Sequence, residues 1–430
     1  MTISRCVSID IQCLVETMTN IFFRRLYGAI RCFPLGVLCA LFLNSQALGS
    51  DWNNWLAIQI SQHPDVRAAK ERWQGTNANA DAMKQPIYNP ELSAGADRNG
   101  DDNNYAVGLQ QTIDLWDRRT VNVKQAAHLK TAAMHTYKQQ VLDKTAEVVA
   151  ALVQWHSANL AARIAKAQQA QFYSMLELLD TRQKSGDLGT VDAELTFLSL
   201  SQQITQVAEV ESSLLQAEVR LRELLPKWTK SRGGLPESFW PSTIPVSNDE
   251  RLRLHPLVAS TEAAWRSLKE NTESARRAAK ADPTFGINAG RDGGDSLVGL
   301  TVSVPLHVRN DFTAETRLAQ SLELEAEATW IATFQKQRVD WDAARASWKR
   351  YEYHLKAWED LLANRVENSE KLLERQWQSG DLSTPNYLSA LNQRTESLLA
   401  GIELEKQAQL ALTEALYQSG QLTTLIQPVN

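Results

Sequence analysis

Histidine and cysteine are the side chains best suited to bind metals or to act as nucleophiles, and this chain uses both sparingly. Of its seven histidines, the closest pair in the sequence is His128 and His135. Seven residues on a helix correspond to about 10 Å, which is too far for both rings to bind one metal ion directly. The chain also has no HExxH, GxSxG, phosphate-loop or glycine-rich dinucleotide motif. We therefore predict no catalytic residue, no metal site and no cofactor.

The N-terminal segment is typical of a secretory signal peptide. Arg24, Arg25 and Arg31 precede an apolar run, Phe33–Leu43, and small residues follow at 47–49. The apolar run is shorter than the ~20 residues that a membrane-spanning helix needs, which argues against an anchor. We predict a signal peptide over residues 1–49, with either of two methionines, Met1 or Met18, as the start.

The composition indicates a folded, exported protein. Hydrophobic residues make up 43% of the chain and charged residues 22%, which argues against disorder. The formal net charge is −5 and no basic cluster stands out, so nucleic acid is not a predicted partner. A mature chain without the signal peptide would have neither disulfides nor thiolate ligands, because every cysteine precedes residue 40. The cysteines are Cys6, Cys13, Cys32 and Cys39.

An internal duplication organises the rest of the chain. Five landmarks recur in one order at a spacing of 191 to 194 residues, which indicates two large halves. We predict a first repeat at 51–225, a proline-containing linker at 226–250, a second repeat at 251–421 and a tail at 422–430. The landmarks are His63-Pro64 and His255-Pro256, Trp73 and Trp265, NPELSAG (89–95) and DPTFGINAG (282–290), Gly108 and Gly299, and SGDL at 185–188 and 379–382.

Each half begins with a short helix and continues with two stretches in which apolar residues alternate with polar ones. Alternation with a period of two predicts strands, and the polar segments 99–104 and 292–295 predict the turns between them. Each half therefore contributes one β-hairpin. The predicted strands cover 91–98 and 105–113 in the first half, and 285–289 and 297–305 in the second.

Long helical stretches follow the hairpins. Asp117–Ser185 and Asp311–Ser379 are each 69 residues long and contain neither glycine nor proline. One unbroken helix of this length would extend for about 100 Å, which indicates an elongated helical body. Further helices are predicted over Thr190–Leu225 and Pro385–Tyr417.

The two SGDL segments are predicted to reverse the chain between these helices. Gly186 can end one helix in a left-handed conformation, and Thr384 followed by Pro385 is typical of a helix start. Thr190 is the matching start in the first half. A plain helical hairpin without a function at its end is one interpretation. Two such ends side by side would instead form a docking surface, which the duplication favours.

Four short amphipathic strands suggest a membrane role. Strands of about 9–11 residues span a bilayer only within a closed barrel, and known barrels begin at about eight strands. Three chains would supply twelve strands. Tyr105 and Trp116, predicted at opposite ends of one strand, are candidate interface aromatics. The alternative is a small soluble β-layer packed on the helices.

The chain resembles the TolC-type outer-membrane factors over about Asp51 to Gln421, and within them the CzcC-like heavy-metal efflux branch. The resemblance rests on the duplicated halves and on three segments. These are HPDVRAA (63–69), NPELSAG (89–95) and GLQQTIDLWDRR (108–119).

The resemblance implies a mainly α fold with a small β part. Duplicated long helical hairpins would form an α-barrel, and two β-hairpins per chain would contribute to a trimeric twelve-stranded transmembrane β-barrel. The implied partners of the homotrimer are outer-membrane lipid, a periplasmic membrane-fusion adaptor and an inner-membrane pump of the resistance-nodulation-division type. The implied location is the Gram-negative outer membrane with a large periplasmic portion, and the implied activity is passive export of heavy-metal cations.

The resemblance also assigns residues. The hairpin ends that would meet the adaptor contain Gly186, Asp187, Leu188, Thr190, Gly380, Asp381, Leu382 and Thr384. Relatives often place carboxylates near this end, so Asp187, Asp192 and Asp381 are candidates for a tunnel constriction. Carboxylates at helix starts also simply complement the helix dipole, and that interpretation stays open.

Two alternatives remain at this stage. The duct could serve a multidrug pump or a type I protein-secretion system instead of a metal pump. The chain could also be a soluble periplasmic coiled-coil scaffold, which would not fractionate with the outer membrane.

Overall fold

The computed structural model describes residues 43–185, 189–241, 243, 248–293, 295–362 and 366–426. Most of the predicted signal peptide therefore lies outside the described residues. The helices are α1 (Leu43–Gln62), α2 (Pro64–Met83), α3 (Arg118–Ser185), α4 (Thr190–Leu224), α5 (Asp249–Arg253), α6 (Pro256–Ala278), α7 (Thr313–Leu362), α8 (Val366–Gln378) and α9 (Thr384–Gln418). The strands are β1 (Glu91–Asn99), β2 (Asp102–Thr112), β3 (Thr284–Asp292) and β4 (Asp295–Ser303).

The order of elements repeats as the sequence predicted. Each half has a helix that begins at a proline, a β-hairpin, a long helix and a further helix. The buried His255 side chain caps α6, because its Nδ1 accepts a hydrogen bond from the Leu257 N–H at 3.3 Å. Asp117 and Phe312, which precede the long helices, both have a positive φ, of 53° and 57°. The two halves therefore share even an uncommon backbone conformation.

The long helix of the first half agrees with its prediction. α3 has 68 residues, and the Asp114 carboxylate accepts hydrogen bonds from the N–H groups of Arg118 and Arg119 at its start. A carboxylate at this end satisfies otherwise unpaired donors and complements the helix dipole. In the second half, α7 and α8 cover 313–362 and 366–378 of the predicted stretch, and residues 363–365 between them lie outside the described residues.

One compact unit contains Pro64–Leu142 and Val246–Asp340. Its four strands form one antiparallel sheet in the order β1-β2-β3-β4, so the two hairpins pair through β2 and β3. Aromatic pairs hold helices together in this unit. Trp73 of α2 stacks on Tyr137 of α3 at 5.4 Å between ring centroids, and Trp265 of α6 stacks on Trp330 of α7 at 5.0 Å.

The other unit contains the chain up to His63, Asp143–Pro245 and Trp341–Asn430. One aromatic cluster of this unit joins α3, α4, α8 and α9. The buried members are Phe172, Met175, Leu200, Trp377, Tyr387, Leu388 and Leu391.

The predicted linker at 226–250 is partly packed rather than free of contacts. Trp228 is buried and its ring meets that of Trp155 at 4.8 Å between centroids. Phe239 is also buried, and its ring lies 6.4 Å from that of Trp52 in α1. These contacts fix the segment to the helices of its own unit.

Candidate membrane sheet and helical hairpin ends

The β-sheet has one strongly apolar face. Residues opposite each other in register point to the same side of a sheet, so whole rows can be read across the four strands. One row contains Leu92, Leu109, Ile287 and Leu300, and a second contains Ala94, Val107, Ala289 and Val298. These side chains are not covered by other elements: Leu92 is 76% exposed and Leu300 is 83% exposed.

The opposite face is polar or small. One of its rows contains Ser93, Gly108, Asn288 and Gly299, and another contains Glu91, Gln110, Gly286 and Thr301. Gln110 donates a hydrogen bond to the Glu91 carboxylate at 2.8 Å. A sheet with one aliphatic and one polar face is suited to separate hydrocarbon from water.

The strand lengths agree with this interpretation. β1, β3 and β4 have 9 residues and β2 has 11, which is the length that a tilted strand needs to cross the apolar part of a bilayer. None of the helices in the described ranges is sufficiently long and apolar to span a membrane.

The two predicted interface aromatics lie at different kinds of position. Tyr105 lies within β2, on the apolar face, and is 57% exposed. Trp116 lies beyond the end of β2 rather than in the strand, which corrects the sequence-based placement. Its indole N–H donates to the Ala281 carbonyl at 2.9 Å, and the Lys280 ammonium lies 4.4 Å from its ring centroid.

Asp282 joins the two halves at the base of the sheet. Its buried carboxylate accepts hydrogen bonds from the Tyr88 hydroxyl at 2.9 Å and from the Leu115 N–H at 3.1 Å. Arg118 in turn donates to the Tyr88 hydroxyl at 3.3 Å. From the sequence, Asp282 was recognised only as part of a repeated motif. Its hydrogen bonds could not be predicted, because the residues that donate to its carboxylate lie nearly two hundred positions away in the chain.

The second helical hairpin end, residues 379–384, has a defined structure. Gly380 has a φ of 84°, a conformation that glycine adopts most readily, as predicted for the end of a helix. The Leu382 N–H donates to the Gln376 carbonyl at 3.0 Å and closes the turn. The Leu382 side chain packs against the aromatic cluster, whereas Asp381 is exposed and accepts a hydrogen bond from the Ser379 hydroxyl at 2.8 Å.

Thr384 has a role that the sequence did not predict. The cap position of α9 is Ser383, so Thr384 is the first helical residue and not the residue before it. Its buried hydroxyl accepts a hydrogen bond from the Trp377 indole at 3.2 Å, and the Trp377 ring stacks on Tyr387 at 4.9 Å. Thr384 therefore fixes the loop to the helices on both sides.

The first hairpin end is described in part. Gly186, Asp187 and Leu188 lie outside the described residues. α4 begins at Thr190, as the sequence predicted, and the cap position is Gly189. Asp192 lies in the first turn of α4, and its side chain is not among those described. Of the three candidate constriction carboxylates, the structure thus describes the surroundings of Asp381.

A half-buried carboxylate, that of Glu405, lies on α9. Burial raises the pKa of Glu405, and the nearby carboxylates of Glu359 and Glu237 raise it further. Gln409 donates a hydrogen bond to Glu405 at 3.0 Å. Within the described ranges, no group of three or more histidine, cysteine, aspartate or glutamate side chains is arranged to hold a metal ion.

Glu405 is expected to make stability depend on pH. Because its pKa is raised on folding, the folded chain keeps a proton at a pH at which the unfolded chain has lost it. The free energy of unfolding should therefore fall as the pH rises from the ordinary pKa of glutamate through the raised pKa of Glu405.

Glu405→Gln should weaken this pH dependence and raise the unfolding temperature at pH 7.5. Thermal unfolding monitored by circular dichroism between pH 4 and 8 measures both effects, with the exposed Glu414→Gln on the same helix as control. If Glu405→Gln leaves the unfolding temperature at pH 7.5 unchanged or lowers it, the predicted destabilisation by Glu405 is contradicted.

In a comparison with known proteins, residues 55–226 match the family model described as outer membrane efflux protein. The chain is similar in structure to the outer-membrane channel OprN, with a TM-score of 0.72 and 16% identity over 87% of this chain and 92% of that one. It is similar to CusC, a protein that forms a transmembrane channel, with a TM-score of 0.69 and 16% identity over 86% and 92%. For the Neisseria gonorrhoeae MtrE outer membrane channel in its open state, the TM-score is 0.67 at 15% identity over 88% and 89%.

At these identities the structural likeness concerns the fold, and it confirms the predicted fold class. No curated protein matches the chain in sequence.

Proposed function

We propose that the chain is a TolC-type outer membrane efflux protein and that it is the outer-membrane duct of a tripartite pump for heavy-metal cations, because residues 55–226 match the outer membrane efflux protein family and the fold is similar to that of outer-membrane channels. The proposed location is the outer membrane, with a large periplasmic helical part. Proteins of this family are passive channels and not enzymes, and they work as trimers with an adaptor and an inner-membrane pump.

The two-faced sheet is the observation that carries the proposal. Its aliphatic rows are exposed in the single chain, where water would contact them at a cost of about 25 cal/mol for each Å² of apolar surface. Lipid hydrocarbon removes this cost. Four strands cannot close a barrel, and a homotrimer pools twelve. The polar rows then face the aqueous interior, and the aliphatic rows face the lipid.

The hairpin ends are the proposed docking surface for the periplasmic adaptor. The loop at the second end is held on its inner side by the partly buried Leu382 and the buried Thr384. Its outer side exposes Asp381 and the peptide groups around Gly380. A rigid loop with an exposed polar rim can bind a partner without a large loss of conformational entropy.

The proposed cargo follows from the resemblance to the CzcC-like branch and from the candidate carboxylates Asp187, Asp192 and Asp381. Three-fold symmetry would turn each carboxylate into a ring, and acidic rings favour cations in a pore. The duct itself needs no tight metal site, because a conduit must release what passes through it.

Deletion of the gene tests the cargo. Growth of the deletion strain is compared with the parent on a series of Co, Zn, Cd, Ni, Cu and Ag salts, and the wild-type gene on a plasmid is the control. We expect lower tolerance to at least one ion, restored by the plasmid. Unchanged tolerance to all six ions, together with new sensitivity to organic toxicants, would overturn the metal assignment and support a multidrug duct.

A further inference from the structure

The two ends of the β-sheet differ in charge. The hairpin turns, 97–104 and 291–295, contain five aspartates and two arginines. At the opposite end the strands join the helices, and we call this the helix end of the sheet. Basic side chains are exposed there beside the apolar face, and they include Arg119, Lys280 and Arg309. An apolar surface that cations border at one end is complementary to a lipid leaflet with anionic headgroups.

Several carboxylates at the helix end are already bound within the protein. Asp114 accepts hydrogen bonds from two N–H groups at the start of α3, and Asp117 accepts one from the Thr120 hydroxyl at 2.6 Å. Asp311 accepts a hydrogen bond from an N–H group at the start of α7. The carboxylate of Asp282 is the buried one that joins the two halves. These acids therefore serve the fold at this end.

Aliphatic side chains continue past the ends of the strands at the helix end. Leu115, beyond β2, is 61% exposed, and Leu306, beyond β4, is 78% exposed. The two leucines occupy matching places in the duplication, because each directly precedes a ring, Trp116 in the first half and His307 in the second. The aliphatic surface of the sheet thus extends to the residues that carry these rings.

The two rings fix the backbone on both sides of Lys280. The Trp116 indole donates to the Ala281 carbonyl at 2.9 Å, and Nδ1 of His307 lies 2.9 Å from the Ala279 carbonyl oxygen. A carbonyl oxygen only accepts, so Nδ1 of His307 is the donor in this hydrogen bond. Each half of the chain therefore contributes one hydrogen bond that holds the segment 279–281 in place.

The ammonium group of Lys280 is positioned but not neutralised. It lies 4.4 Å from the centroid of the Trp116 ring, and the side chain is exposed. No carboxylate pairs with it among the residues that the structure describes. Lys84, which follows the short helix of the first half, instead binds the Asp81 carboxylate at 3.2 Å. An ammonium on an aromatic ring keeps N–H donors for a further acceptor.

We propose that Lys280, held by Trp116, binds the phosphate group of an anionic phospholipid whose acyl chains lie on the aliphatic face of the sheet. The ammonium acts on the phosphate as a point charge. The Trp116 ring, whose N–H is used within the protein, forms a flat apolar wall beside the lipid glycerol. A free phosphate ion would leave Leu115 and Leu306 uncovered, whereas a phospholipid covers them. This inference rests on the proposed outer-membrane location and adds a ligand site to it.

Native mass spectrometry of the purified full chain in detergent tests the site. The protein is titrated with phosphatidylglycerol, which is anionic, or with phosphatidylcholine, which has no net charge. Lys280→Gln is the test variant. Lys84→Gln is the matched control, because it removes the same charge near the helix end from a lysine that already has a partner. We expect Lys280→Gln to weaken the tightest phosphatidylglycerol binding about fivefold. Phosphatidylcholine binding, and both lipids on Lys84→Gln, should stay within twofold of the wild type.

A cysteine at position 280 separates the charge from the packing of the side chain. Every native cysteine precedes residue 40, within the predicted signal peptide. Lys280→Cys is alkylated with bromoethylamine, which restores an ammonium at nearly the length of lysine, or with iodoacetamide, which adds a neutral amide. We expect the ammonium adduct to regain most of the wild-type affinity for phosphatidylglycerol and the neutral adduct to match Lys280→Gln. Equal binding by the two adducts would overturn the role of the charge.

Three further results would overturn the lipid site. Unchanged phosphatidylglycerol binding by Lys280→Gln, with a lower unfolding temperature, would show that Lys280 only complements the C-terminal end of α6. An equal loss in Lys84→Gln would show a general effect of net charge. Displacement of the lipid by inorganic phosphate would make a free anion the ligand. Each of these results leaves the duct intact if the wild-type chain restores metal tolerance. Absence of the protein from outer membranes would instead overturn the proposed function.

Discussion

Replacing Gly401 by alanine is expected to lower the free energy of unfolding by about 1–3 kcal/mol. Gly401 lies in α9 and is buried against the indole ring of Trp358 in α7. An added Cβ would overlap three atoms of that ring, so the ring or the helix would have to move. Close-packed interiors resist such movement, because few voids are available to take up the displaced atoms.

Gly75 provides the matched control for this substitution. It lies in α2, and a Cβ there would meet nothing within 4 Å. Gly75→Ala should therefore raise stability by about 0.5–1 kcal/mol through helix propensity alone. Guanidinium unfolding monitored by circular dichroism at 222 nm measures both changes. The interpretation fails if the two variants shift the midpoint in the same direction, or if Trp358→Leu does not reduce the cost of Gly401→Ala.

A charge on the aliphatic face of the sheet is expected to remove the protein from the outer membrane. Leu300→Arg puts a guanidinium where the proposal places lipid, and arginine near the middle of a bilayer costs a β-barrel about 2–4 kcal/mol. A homotrimer carries the substitution three times. We expect at least a tenfold loss of trimer from the outer-membrane fraction, measured by immunoblot, and a matching loss of metal tolerance.

Thr301→Arg is the control, one residue further along the same strand. Thr301 lies on the polar face, opposite Gly286, where the proposal places water. Trimer levels should stay within twofold of the wild type. Equal loss from both variants would mean that the two faces are not distinguished by lipid, which would contradict the membrane role of the sheet.

The sequence predicted the helices and strands that are determined by residues close together in the chain. A stretch without glycine or proline predicted α3, and period-two alternation with polar turns predicted both hairpins. Gly100 and Gly293, both with positive φ, lie in the predicted turns. Repeated landmarks predicted the duplication, because each half encodes the same local elements.

Features that depend on distant residues were not predictable in the same way. Nothing in the sequence alone showed that β2 would pair with β3, or that Leu92 and Leu300 would share one row. The hydroxyl of Thr384 looked like a helix cap, and it binds the Trp377 indole instead.

The outer strands β1 and β4 each have one unpaired edge in the described part of the chain, and this has a consequence for how the protein assembles. In the proposed trimer, β4 of one copy would lie beside β1 of the next, and such head-to-tail contacts add subunits without limit unless a ring closes. The addition of subunits ends when the curvature of the sheet brings the third copy back to the first. Newly exported chains can therefore assemble either into a closed ring or into an open ribbon. A high chain concentration in the absence of lipid should favour open ribbons and aggregation, because the unpaired strand edges then meet other chains before a ring closes.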